Sequence, residues 1–231
     1  MQYLFLIYAD EDAVNALPAE QRRGLYSGHL ALHRELADRG LLRYAAPLDD
    51  SPTTRTLGPD GLFTDGPYAE TKEQLGSLYV VECADADEAL TLARRFPAGP
   101  GHHVEIRPVT YEENGACAAS PRQRRGLLDA VPGGGRQAVR RAPGVPDRAD
   151  RGRRGPAVLA ELHPSPTAKI VRSAGDDWLL TDGPFTETKE QLGGLYVIDV
   201  PDMDAAVYWA RRIPVIAGDA VEVRATKATG E

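Results

Sequence analysis

The sequence predicts an α+β fold built from two copies of one split β-α-β unit, and three observations carry that expectation. The first is an internal repeat: LFTDGPYAETKEQLGSLYV at 62–80 returns as LLTDGPFTETKEQLGGLYV at 179–197. At a constant offset of 117, residues 62–107 and 179–224 share 26 of 46 positions, which marks a duplicated unit. The second is the order of strand and helix patterns before and after the first copy. The third is a break in composition at 115–157, which separates the copies with ten Arg, three Asp, eight Gly, five Pro and no aromatic residue.

The elements follow in order. Gln2 to Ala9 is apolar on both alternating faces, the mark of a strand covered on two sides. Pro18 suits a first helical turn, and a helix is predicted from there to Arg39. Its inner stripe is Leu25, His29, Leu32 and Leu36, with Tyr26 and His33 beside it. Gly40 ends it and Leu41 to Ala46 forms a second strand. Residues 52–57 and 62–64 read as a hairpin around Gly58-Pro59-Asp60-Gly61, and Gly76 to Cys83 as a strand. Asp85 opens a second helix with Glu88 as its capping-box partner, and Ala89, Leu92, Ala93 and Phe96 form the buried stripe. His103 to Val109 closes the unit, with Val104 and Ile106 on one face. This β-α-β-hairpin-β-α-β order is the ferredoxin-like split βαβ arrangement. Its helices cover one sheet face only, so the second copy is expected to cover the other, as a dimeric α+β barrel formed within one chain.

The second copy is expected to be incomplete. Residues 161–167 (ELHPSPT) resemble 47–53 (PLDDSPT), the Ala206, Trp209, Ala210 and Ile213 stripe rebuilds the second helix, and Val221 and Val223 rebuild the last strand. The counterpart of residues 1–46 should occupy roughly 115–160, but 115–157 cannot supply a buried strand and an amphipathic helix. The expected organisation is a complete domain at 1–110, a disordered linker at 111–157 and a partial domain at 158–227. Residues 115–157 are either a genuine linker or the product of a pair of compensating frameshifts, since codons permitted for Gln137 to Arg151, read one nucleotide later, can encode a stretch like the first helix; the DNA sequence of the gene distinguishes the two.

Bulk properties narrow the function. A net charge of −7 gives no reason to expect nucleic-acid binding. Cys83 and Cys117 form neither a disulfide framework nor a metal knuckle, which points to a reducing compartment. The apolar start lacks a basic flank and reads as a strand rather than a signal peptide, and no run of about 18 apolar residues occurs. A cytoplasmic location is expected. No phosphate-binding glycine loop, nucleophile elbow or CxxC is present, so no cofactor is predicted.

The Asp65-Gly66-Pro67-Tyr68 and Asp182-Gly183-Pro184-Phe185 motifs, each followed by Glu-Thr-Lys-Glu-Gln-Leu-Gly, resemble those of the YCII-related family in its Asp-Gly-Pro-Phe branch. Residues 28–48 (GHLALHRELADRGLLRYAAPL) also resemble the family's helix. The resemblance implies a dimeric α+β barrel. It also suggests a His–Asp pair in a cleft, since some relatives carry out proton-transfer or lyase chemistry. Genes of this branch often neighbour those of extracytoplasmic-function sigma factors, which suggests a regulatory role as the alternative.

Candidate catalytic residues are His29, Asp65 and Asp10. An imidazole titrates near neutrality and can serve as general base or acid. Asp65 or Asp10 would orient it; otherwise Asp65 and Asp182 are turn formers. The motif residues Glu70, Lys72, Glu187 and Lys189 read as a solvated charged loop. His102-His103 makes no metal site, because strand neighbours point to opposite faces. Two function classes remain: a small enzyme moving a proton on a small organic substrate, and a non-catalytic binding or interaction module. Expected partners are a small-molecule ligand and a second unit, in this chain or in another copy.

Overall fold

The structure is a computed structural model that describes residues 1–69, 71–114, 158–174, 177–185, 191–213 and 219–227. Residues 115–157 of the expected linker, Gln137 to Arg151 among them, lie outside the described residues, as do Glu70, Glu187 and Lys189; residues 111–114 belong to the last strand of the first copy rather than to a linker.

β1 (Gln2–Asp10) runs through the middle of the molecule. Its Asp10 carboxylate accepts from Ala13 N at 3.0 Å and caps a short helix, α1 (Glu11–Asn15), absent from the sequence expectation. α2 (Ala19–Asp38) follows Pro18, whose fixed φ starts the helix. It ends at Gly40, which adopts φ +68, a conformation that costs a side chain and suits glycine. β2 (Leu42–Pro47), β3 (Arg55–Leu57) and β4 (Phe63–Asp65) come next, and β5 (Glu73–Glu82) starts inside the repeated motif, three residues earlier than expected. α3 (Ala86–Ala93) is capped as predicted: Glu88 N donates to Asp85 Oδ1 at 2.9 Å, and Ala84 N donates back to Glu88 Oε2 at 2.6 Å. β6 (His103–Asn114) is twelve residues long.

The second copy contributes β7 (Val158–Leu162), β8 (Lys169–Ala174), β9 (Asp177–Asp182), β10 (Gly194–Val197), α4 (Met203–Ala210) and β11 (Val221–Val223). That is five short strands among the described residues, because its hairpin and the strand before it both form. One sheet runs β10-β7-β6-β1-β5-β2, with β8 also on β6 and β9 on β8, and a three-stranded sheet runs β11-β3-β4. All pairings are antiparallel. The larger sheet is a curled half-barrel in a mixed α+β fold.

Two cores result. Tyr3, Phe5, Ile7, Tyr79, Val81, Val104 and Ile106 face α2 and α3, meeting Leu32, Leu36, Leu92 and Phe96. On the opposite face Leu4, Leu6, Leu78 and Val80 meet Val109, Ala160 and Leu162, so strands of the second copy help to cover the first. Each large apolar side chain so buried contributes about 1.5–3 kcal/mol. Strand alternation sorts β1 between the two cores, as the two-faced apolar pattern of Gln2 to Ala9 requires.

Among the described residues no helix is long and apolar enough to cross a membrane.

Candidate functional site

The repeated motif forms the same structure twice. Gly66 and Gly183 both adopt φ +97, and their N–H groups donate to Thr54 O (2.8 Å) and Ala168 O (2.9 Å). Glycine is needed there because an L side chain is strained at that φ. Asp65 does not cap this turn: it is exposed and ion-paired with Arg55 Nε at 2.8 Å, as Asp182 is with Lys169 Nζ at 2.5 Å.

The fourth motif residue then crosses to the other copy. Phe185 N donates to Glu105 Oε2 at 3.0 Å, and Tyr68 N donates to Glu222 Oε2 at 3.0 Å. Two residues along each strand, Arg107 donates to Leu192 O and Arg224 to Leu75 O. Residues 105, 107, 68 and 75 become 222, 224, 185 and 192 at the offset of 117, so the two sets of contacts are reciprocal. The strand pairings follow suit: β8 of the second hairpin lies on β6, and β3 of the first lies on β11. The Leu48–Thr226 bridge likewise matches the Val109–Leu162 pair of β6 and β7.

Sequence reasoning missed the acceptors. The signal was present, since Val-Glu-Ile-Arg at 104–107 returns as Val-Glu-Val-Arg at 221–224. Alternation sends Val104 and Ile106 to the helix-side core, which forces Glu105 and Arg107 into the interior of the curl. There the Glu105 and Arg107 side chains are both buried, with Arg107 Nε 3.6 Å from Glu105 Oε1. Burial pushes the Glu105 carboxyl above its ordinary range, opposed by the Phe185 N–H and by Arg107.

Aromatic rings roof this pair. Tyr8 stacks on His103 with centroids 5.1 Å apart and planes 6° apart, and Phe185 lies 5.0 Å from Tyr8 and 3.5 Å from His103. The Arg172 guanidinium stands 5.9 Å over the Phe185 ring. Burial first, then Glu105 and Glu222, drive the Tyr8 phenol well above its usual pKa, while Arg107 and Arg224 pull it down. Tyr8 thus senses both Glu-Arg pairs.

The proposed catalytic residues are not joined. His29 lies on α2 with its ring 6.1 Å from Phe96, and its buried Nδ1 has no hydrogen-bond partner. Desolvation alone pushes it down to about 4. Among the described residues neither Asp65 nor Asp10 hydrogen-bonds to it. The reason is topological: Asp65 ends β4 in the three-stranded sheet, whereas His29 packs against the helix-side core. Asp10 instead caps α1 and pairs at 3.2 Å with Lys72 Nζ, whose side chain remains 76% exposed. The bond from Ala13 N, then Lys72, hold the Asp10 carboxyl below its usual range against desolvation. His33 sits edge-on to Tyr79 at 6.5 Å. His102 and His103 are both pushed down to about 4 by burial, and His103 Nδ1 lies 2.9 Å from Gly101 O. Among the described residues no group of three or more His, Cys, Asp or Glu is placed to hold a metal.

The fold and these contacts define an α+β protein in which two copies of one motif grip each other's last strand. The chain belongs to the YCII-related family: the model of the YCII-related domain matches residues 1–113 and 153–228. It is also similar to Uncharacterized protein R00369 of Rhizobium meliloti (strain 1021), at 34% identity over 120 residues. That alignment covers 50% of this chain and 97% of the relative.

Proposed function

We propose that the chain is an intrachain pseudo-dimer of two ferredoxin-like units and works as a non-catalytic binding or interaction module. In this reading the Asp-Gly-Pro motif is a clasp between units, not the seat of proton transfer. The observation that carries it is the reciprocal bond of Tyr68 N to Glu222 and of Phe185 N to Glu105. A small polar ligand would be met by the interior row of Tyr8, Glu105 and Arg107.

The enzymatic alternative retains one supporting observation, the 3.2 Å pair of Asp10 with the motif's Lys72 at the end of β1. NMR titration of His29 separates the readings. The module reading expects His29 to titrate at about 4 and to be unmoved by Asp65→Asn or Asp10→Asn. A pKa near neutrality that falls on removal of either carboxylate would restore the His–Asp dyad.

A further inference from the structure

Residues that are twins at the offset of 117 have opposite fates in the two copies. Tyr79 is 6% exposed and Tyr196 is 47%; Val81 is 0% and Ile198 is 37%; Leu92 is 6% and Trp209 is 45%. The first of each pair lies in the helix-side core, under Phe5 of β1 and Leu32 and Leu36 of α2. The second copy presents the same surface to solvent. The expectation that Trp209 would be buried in a rebuilt helix stripe is thereby corrected: Ala210 is buried, but Trp209 is not.

Among the described strands the backbone is open at the same place. In the first copy β1 lies between β5 and β6, antiparallel to both, with Leu6 opposite Leu78 and Glu105. Their twins β10 and β11 each end a sheet, β10 beside β7 and β11 beside β3. Each has one paired edge and one free edge among the described strands. An apolar face bordered by two free edges is a template for strand addition.

We propose that this surface is a docking site for a strand–helix segment of a partner polypeptide. Its strand would be apolar on both faces and antiparallel to β10 and β11. A residue in the place of Leu6 would stand opposite Leu195 and Glu222. Its helix would carry a Leu-x-x-x-Leu stripe, like Leu32 and Leu36, across Trp209 and Tyr196. The first copy identifies the occupant, because residues 2–38 cover these same twin positions there. A second copy of the chain is the poorer donor, since its own Leu32 and Leu36 are committed to a core.

The test uses the full chain and a synthetic peptide of residues 1–39. Saturating peptide is expected to slow amide exchange at Leu195–Val197 and Val221–Val223 about tenfold or more, and Tyr196→Arg to weaken peptide binding about tenfold. Tyr196 is exposed, so this variant should remain folded; Trp209→Asp serves as the second variant. Three results would overturn the proposal: no slowing at saturation, slowing confined to β5 and β6, or slowing at β10 and β11 in the concentrated chain without peptide. The last would mean that a second copy fills the surface.

Discussion

The two clasps are made from the same residues but are not equally enclosed. At the Glu105 clasp the carboxylate side chain is 5% exposed beneath Tyr8, His103 and Phe185; at the Glu222 clasp it is 32% exposed. The difference traces to two positions. His103 has Ala220 as its twin, and the described part of the second copy has no strand equivalent to β1 to supply a second Tyr8. An identical hydrogen bond is therefore buried in one copy and half-wet in the other. The comparison teaches that a motif's energetic weight is set by what roofs it, because a buried ion pair loses far more than an exposed one when a partner is removed.

The largest effect should come from separating the copies. Residues 158–231 alone are expected to show no cooperative urea transition, because β7 and β8 both pair with β6. A cooperative transition would show the second copy to be self-sufficient. Next, Glu105→Gln in the full chain should destabilise it by about 3–5 kcal/mol, since Arg107 is left buried without its counter-charge. Pairing that change with Arg107→Met should recover much of the loss in urea melts. If Glu105→Gln and Glu222→Gln cost the same, the contrast between the clasps is wrong.

Acidification should act through the first copy. The folded pKa values of His102 and His103 lie near 4, below the ordinary value of 6.5, so the unfolded chain binds protons first. Stability should then fall as pH drops from about 6.5 towards 4. At pH 5.5 the loss is roughly 1 kcal/mol for each histidine, read as a lower melting temperature. His103→Gln should therefore flatten the profile. The Glu222→Gln change should be smaller, about 1 kcal/mol, because solvent already screens that carboxylate. Smallest of all, Asp65→Asn should shift a urea midpoint by less than about 0.5 kcal/mol, since its pair with Arg55 is exposed.

Much of the fold was legible where burial follows a simple period. Leu32 and Leu36 on α2, Ala89, Leu92 and Phe96 around α3, and Val104 and Ile106 on β6 all occupy the core that their spacing indicates. The motif turn was legible as a turn, but for the wrong residue: Gly66 closes it by its φ, while Asp65 points to solvent. The site was not legible through His29, because a histidine on an apolar stripe carries no record of whether a carboxylate lies within reach. Nor did pattern reasoning find Glu105, since a charge alternating with Val and Ile reads as a solvent-facing residue until the curl of the sheet turns that face inward. Asp10 lies at the end of β1 and its partner is the motif's own Lys72, a largely exposed charge whose contact no local pattern marks.

The crossed hairpins have a consequence for how the chain is made. β6 is complete at Asn114, but β8, which covers one half of its outer edge, and β9, which pairs with β8, end only at Ala174 and Asp182. At about 5–20 residues per second, roughly 3–14 seconds of synthesis separate the two. Throughout that interval the nascent chain carries a long strand with one unsatisfied edge, and β3 waits longer still for β11. During translation, then, this protein is open at β6 as well to pairing with the wrong neighbour, such as the same edge on an adjacent ribosome.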